Sequence, residues 1–134
     1  MPLERRIIAV VDDDESMRKA LSRQLRAAGY RCESFASAED LLFCLSSVIP
    51  DGVLSDIQLG EMSGLQLAVH PEVTRRRLPV VLMTALSDPM FVDAARDVAA
   101  AFLVKPICAD DLLDAITGIV GPPLVEEDEG NTDL

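Results

Sequence analysis

Four short, largely apolar runs punctuate the chain, and each ends in a polar residue. Ile7–Val11 leads into Asp12-Asp13, Gly52–Ser55 into Asp56, Pro79–Met83 into Thr84, and Ala101–Val104 into Lys105-Pro106. Runs of this length, separated by stretches of helical period, fit strands buried on both faces of a parallel sheet. In an open parallel α/β sheet the carboxyl ends of the strands gather along one edge, where ligands bind. That edge would unite three carboxylates, a hydroxyl and a lysine that lie far apart in sequence. Such a set suits Mg²⁺ (or Mn²⁺) and a phosphoryl group.

The intervening segments complete an alternating pattern. Met17, Leu21, Leu25 and Ala28 recur at three- and four-residue spacing and predict a helix over 15–28, closed by Gly29. Tyr30–Phe35 reads as a second strand. Ser37 is placed to cap a helix from Ala38 to about Ser47, with Glu39 and Asp40 in its first turn. A third helix starts at Gly64 and is broken or kinked at His70-Pro71. A fourth follows Asp88-Pro89, and a fifth spans Asp110–Val120. The expectation is an α/β, doubly wound, five-stranded parallel sheet with five helices, occupying residues 5–120. From Gly121 the chain turns to Gly-Pro-Pro and then Glu126-Glu127-Asp128-Glu129, which predicts an acidic flexible tail or the start of a linker over 121–134.

Composition excludes several function classes. The formal net charge of −11 argues against nucleic-acid binding through a broad basic face. Cys32, Cys44 and Cys108 are odd in number and lack metal-ligand spacing, which fits reduced thiols of a cytoplasmic protein. No apolar stretch approaches the length of a membrane span. His70 reads as a helix-end residue and Arg75-Arg76-Arg77 as a solvated loop.

Asp56, at the end of a buried strand, is the candidate nucleophile, since a carboxylate can attack phosphorus to form an acyl phosphate. Asp12 and Asp13 are the candidate metal pair. Three clustered carboxylates repel one another without a cation, so at least one should have a raised pKa. Asp14 and Glu15 fit a helix N-terminus, where negative charge favours the dipole. Lys105 would contribute a compact positive charge, and it is one of only two lysines in the chain.

Taken in order, Val11-Asp12-Asp13-Asp14-Glu15, Ser55-Asp56 with Met62-Ser63-Gly64, Met83-Thr84-Ala85 and Phe102-Leu103-Val104-Lys105-Pro106 resemble the receiver domain of bacterial two-component response regulators. The stretch Glu33–Leu42 further resembles the FixJ-type subgroup. The resemblance implies a flavodoxin-like (CheY-like) fold with sheet order 2-1-3-4-5. It implies that Asp56 accepts a phosphoryl group from a sensor histidine kinase or a histidine phosphotransfer protein, in the cytoplasm of a bacterium. By the same resemblance, Asp13 and Asp56 bind Mg²⁺ directly, Asp12 acts largely through water, and the Gln58 backbone carbonyl adds a ligand. Thr84, Ala85, Ile57 and Lys105 would contact phosphoryl oxygens, and Pro106 would follow a cis bond. Thr84 and Phe102 would form a switch that remodels the surface of the fourth helix, fifth strand and fifth helix, where a partner or a second copy could bind to make a dimer. The domain is not expected to be an enzyme beyond promoting its own phosphotransfer and dephosphorylation.

Three positions depart from the family's pattern: Leu59-Gly60 after the phosphoacceptor, Pro71 within the third helix, and Val98 where glycine is usual. None touches the acceptor, metal pair, threonine or lysine, so a competent site is expected. Leu86, two positions beyond Thr84, would screen the acyl phosphate from water and lengthen its life. Two rivals carry different expectations. Asp12-x-Asp14, Thr84, Lys105 and Asp110-Asp111 loosely imitate the haloacid-dehalogenase phosphatases, whose nucleophile would be Asp12, but Asp110-Asp111 opens a helix and follows no strand. A receiver acting only as a binding module is the other.

Overall fold

The computed structural model describes residues 5–85 and 89–124. Leu86, Asp88 and the acidic run Glu126–Glu129, each given a role above, lie outside the described residues. Five parallel strands form one sheet: β1 (Ile7–Val11), β2 (Arg31–Phe35), β3 (Gly52–Asp56), β4 (Val80–Thr84) and β5 (Ala101–Val104). Their order is β2-β1-β3-β4-β5, as expected. The three central strands β1, β3 and β4 are almost wholly buried, which explains their continuous apolar sequences.

Side chains alternate across the sheet. Ile8, Val10, Leu54, Val81 and Met83 pack with Leu21, Leu25, Leu112 and Ile116, which come from α1 (Glu15–Ala27) and α6 (Ala109–Val120). Ala9, Val11, Val53, Val80 and Leu82 face the other way. They meet α2 (Ala38–Cys44), α3 (Gly64–Ala68), α4 (Pro71–Thr74) and α5 (Pro89–Val98) through Leu41, Leu67, Val73 and Ala95. Two apolar layers thus clamp the sheet and fix where its carboxyl edge emerges.

The described residues contain six helices where five were expected. Proline disfavours the helical conformation in the residue before it, and His70 is extended at φ −64° and ψ 138°. Pro71, with no N–H to satisfy, then opens a separate short helix, and His70 Nδ1 accepts the Glu72 N–H at 3.1 Å as its cap. The face expected on the fourth helix, fifth strand and fifth helix therefore corresponds to α5, β5 and α6. Smaller shifts have local causes. The second helix stops at Cys44, whose carbonyl accepts the amides of both Ser47 and Val48. The last helix starts one residue earlier than expected, because Cys108 Sγ accepts the Asp111 N–H.

Arg75 and Arg76 are not simply solvated. Both ion-pair with Glu72, and the Arg76 side chain is only 20% exposed. These contacts, Arg76 foremost, hold the Glu72 carboxyl below its ordinary pKa. Gly29 closes α1 with φ 107°, as its sequence position suggested. Val98, at the usual glycine position, packs partly against the core, and no left-handed backbone occurs between α5 and β5.

Candidate phosphoacceptor and metal site

Parallel register brings the polar strand ends together. Val11 pairs with Ser55, Asp56 with Met83, and Thr84 with Val104, so Asp12, Asp56, Thr84 and Lys105 emerge side by side. Asp12 is fully buried and Asp56 nearly so, whereas Asp13 is exposed. One carboxylate oxygen from each of Asp12, Asp13 and Asp56 lies within 4.8 Å of the others. Lys105 Nζ approaches Asp56 Oδ2 at 2.9 Å and Asp12 Oδ2 at 3.4 Å. The peptide bond between Lys105 and Pro106 is cis, as the resemblance implied.

The remaining carboxylate oxygens are held by backbone amides. Asp12 Oδ1 accepts the Asp14 N–H at 2.9 Å, and Asp56 Oδ1 accepts the Gln58 N–H at 3.1 Å. Asp14 caps α1 by accepting the amides of Ser16 and Met17, while Glu15 sits in the first turn. Asp14 is thus the cap, and Glu15 is a first-turn acid favoured by the dipole, its carboxylate paired with Lys19.

Burial pushes the Asp12 carboxyl above its ordinary pKa. The Asp14 amide and the Lys105 charge oppose that rise, and the Asp56 charge adds to it. One of the clustered carboxyls was expected to behave this way, but desolvation outranks mutual repulsion as the cause. Burial alone would lower the Lys105 ammonium. The hydrogen bond and charge of Asp56, with help from Asp12, outweigh it and leave Lys105 above its ordinary value.

Thr84 is buried at the end of β4, and its carbonyl accepts the Lys105 N–H at 2.7 Å, tying two site residues together. Ala85 follows at an exposed position. Ile57 is placed less favourably: its N–H donates to the Met83 carbonyl at 2.8 Å and would have to leave the sheet to reach a phosphate. Asp110 and Asp111 lie in the first turn of α6, outside the acidic cluster, which deprives the phosphatase-like reading of its last motif.

The model of the response regulator receiver domain matches residues 8–117. The chain belongs to this family. Among its relatives, the receiver is 40% identical over 110 residues to the DNA-binding transcriptional regulator NtrC of Salmonella typhimurium, covering 81% of this chain and 24% of that protein. It is 39% identical over 114 residues to the C4-dicarboxylate transport transcriptional regulatory protein DctD of Rhizobium meliloti, with the same coverage. It is 32% identical over 111 residues to Nodulation protein W of Bradyrhizobium diazoefficiens, covering 82% of this chain and 49% of that one. The receiver thus spans a quarter to a half of the length of these relatives. Among solved structures, the BeF3-activated DrrB receiver domain superposes with a TM-score of 0.75 at 30% identity, over 85% of this chain and 96% of that one. The chemotaxis protein CheY4 of Vibrio cholerae, at TM-score 0.77 and 24% identity over 85% and 98%, shares the fold. As a receiver, the domain is a phosphoacceptor switch of two-component signalling.

Several functional contacts were missed by sequence reasoning. Arg18 Nη1 donates to the Asp12 carbonyl at 2.7 Å, clamping α1 to the acidic turn that precedes it. Arg18 lies one turn into α1, a spacing that could have suggested the contact. Ser55 Oγ donates to the Asp56 carbonyl at 3.0 Å. Gly64 belongs to the Met62-Ser63-Gly64 motif, and its role is steric: a Cβ there would stand 2.3 Å from the Asp56 carbonyl oxygen. The Arg96 guanidinium lies over the Phe102 ring at 5.6 Å, a contact that no local sequence pattern signals.

Proposed function

We propose that Asp56 is the phosphoacceptor, and the observation that carries this reading is the convergence of Asp12, Asp13, Asp56 and Lys105 at one sheet edge. A carboxylate oxygen of Asp56 forms a bond to phosphorus while the P–N bond of a phosphohistidine donor breaks. The electron pair departs on the imidazole nitrogen. Phosphoryl transfer depends chiefly on positioning and charge stabilisation. Asp56 is positioned by β3 and by the Gln58 amide, and Lys105 is already within salt-bridge reach to neutralise phosphoryl oxygens. Thr84 and the Ala85 N–H bind the other phosphoryl oxygens.

The donor set fits Mg²⁺, which favours hard oxygen ligands and is usually held by one or two carboxylates with waters and phosphate. Asp13, Asp56 and the Gln58 carbonyl would hold the ion directly, with Asp12 acting through water. When bound, the ion would supply positive charge to the carboxylates and to the incoming phosphate. Residues 5–120 form the receiver unit, a boundary supported by the end of α6 at Val120, and 121–134 form its tail or linker. A sensor histidine kinase or phosphotransfer protein in the bacterial cytoplasm supplies the phosphoryl group. Movement of Thr84 and Phe102 alters the α5–β5–α6 face to control a partner, an output domain or a dimer. The domain promotes only its own phosphorylation and dephosphorylation, and it binds no nucleic acid itself. The FixJ-type assignment is compatible with the relatives above. No helix among the described residues is long and apolar enough to cross a membrane.

The test is intact mass after incubation of wild type and Asp56→Asn with acetyl phosphate and Mg²⁺. A single phosphate adduct in wild type only, suppressed by EDTA, is expected. An adduct that persists in Asp56→Asn would overturn the assignment. No adduct in wild type would favour a binding module that works without phosphorylation.

A further inference from the structure

Helix α1 carries a second pattern beside its buried stripe. Lys19, Ser22, Arg23 and Arg26 recur at i, i+3, i+4 and i+7, so they share one face. That face is turned toward the edge strand β2, where Cys32 and Ser34 point back at it: Cys32 Sγ lies 3.8 Å from the Ser22 carbonyl, and Ser34 Oγ 3.1 Å from Ser22 Oγ. Between helix and strand lies an open cleft of about 310 Å³, lined by Lys19, Ser22, Arg23, Arg26 and Ser34.

The chemistry of this lining is unusual for the molecule. The chain has a formal net charge of −11, yet three cations and two hydroxyls line the cleft, with no carboxylate, aromatic ring or apolar side chain among them. Glu15 pairs with Lys19 at 3.2 Å, but both side chains are about two-thirds exposed, so the pair restrains Lys19 only weakly. Arg26 is anchored through Nη2 to the Cys32 carbonyl at 3.2 Å, which leaves its other guanidinium donors unused by that bond. Ser22 is 4% exposed, and its hydroxyl shares one proton with Ser34. The second proton of that pair is then available to an incoming acceptor.

A donor-rich, positively charged cleft near the lower end of small-ligand size selects a compact, multiply charged oxyanion. Guanidinium groups match phosphate oxygens in bidentate geometry. We propose that the α1–β2 cleft binds the diphosphate group of a small phosphorylated metabolite. The cleft shares no residue with the phosphoacceptor site, so the two assignments stand or fall separately.

The test is a titration of the full chain with inorganic pyrophosphate, followed by ¹⁵N–¹H NMR at constant ionic strength and with EDTA present. Saturable shifts are expected at the amides of Ser22, Arg23 and Ser34. Lys19 and Arg23 are exposed, so a Lys19→Gln/Arg23→Gln variant should fold normally, checked by an unchanged Tm. Its Kd should rise about tenfold or more from the loss of two charge-assisted partners. Shifts confined to Asp56, Thr84 and Lys105, an unchanged Kd in the variant, or equal shifts with sulfate would overturn the proposal. A parallel arm sediments the chain with phosphatidylglycerol vesicles, the other source of phosphate groups. Vesicle binding without saturable pyrophosphate binding would also overturn it.

Discussion

Asp12 is a buried carboxylate that the fold holds at a cost. Because its folded pKa is raised, its contribution to stability is fully present below the unfolded value and is lost as pH rises through the folded one. At pH 7 the ionised group therefore opposes folding. Asp12→Asn should raise Tm at pH 7 in the absence of divalent ions, and the gain should shrink as pH falls through the raised folded value, levelling off below about pH 4, where the unfolded carboxyl is protonated too. Thermal melts across that range check the sign; a lower Tm for the variant at pH 7 would contradict it. Gly64 carries the opposite kind of constraint. A Cβ would meet the Asp56 carbonyl oxygen at 2.3 Å and the Ile57 Cα at 3.0 Å, both backbone atoms that cannot swing aside. Gly64→Ala should destabilise the fold by about 1–3 kcal/mol and slow phosphorylation of Asp56. Gly60→Ala, with nothing within 4 Å of its new Cβ, is the matched control and should change neither.

At the scale of elements, α5 and β5 are joined by the Arg96–Phe102 contact as well as by packing. Phe102 is only partly buried, so its ring can move, and the guanidinium over its face favours the present position. A cation–π contact at such a site contributes about 0.5–1 kcal/mol. Arg96→Gln should then shift the balance of the proposed switch toward its activated form by about two- to five-fold. Titration with the phosphoryl mimic BeF₃⁻, read by NMR at β5 and α6, would show this as a larger activated fraction at equal mimic. An unchanged fraction would remove Arg96 from the switch. The third helical segment illustrates a different rule. Its break at His70-Pro71 was legible because proline restricts the residue before it, but the second helix after the break was not. That helix is capped by His70 and braced by Glu72 pairing with Arg75 and Arg76, contacts two to four residues apart that reading the arginines as a solvated loop passes over.

For the whole molecule, the three thiols report on how tightly the layers close. Cys108 is exposed, Cys44 is intermediate, and Cys32 is buried between β2 and α1. Burial pushes the Cys32 thiol up to about 11, so little thiolate forms near neutrality. Iodoacetamide at about pH 8 should modify Cys108 first and Cys32 only under conditions that unfold the domain. Peptide mass mapping over a denaturant series would show Cys32 labelling following the loss of helical CD signal. Labelling of Cys32 at the rate of Cys108 in buffer would instead mean that β2 and α1 separate readily.

The amino-acid sequence by itself determined the strand pattern, the sheet order through its family resemblance, and the residues of the candidate site. Short apolar runs ending in Asp, Thr or Lys leave few other ways to bury them, and parallel register then gathers their ends. Tertiary structure alone decided the contacts that depend on approach between distant segments: Arg18 on the Asp12 carbonyl, Gly64 against Asp56, Arg96 over Phe102, and the cleft between α1 and β2. Periodicity reports which face of an element is apolar. It carries no information about how far a polar side chain reaches, or which backbone atom lies across from it once two layers close.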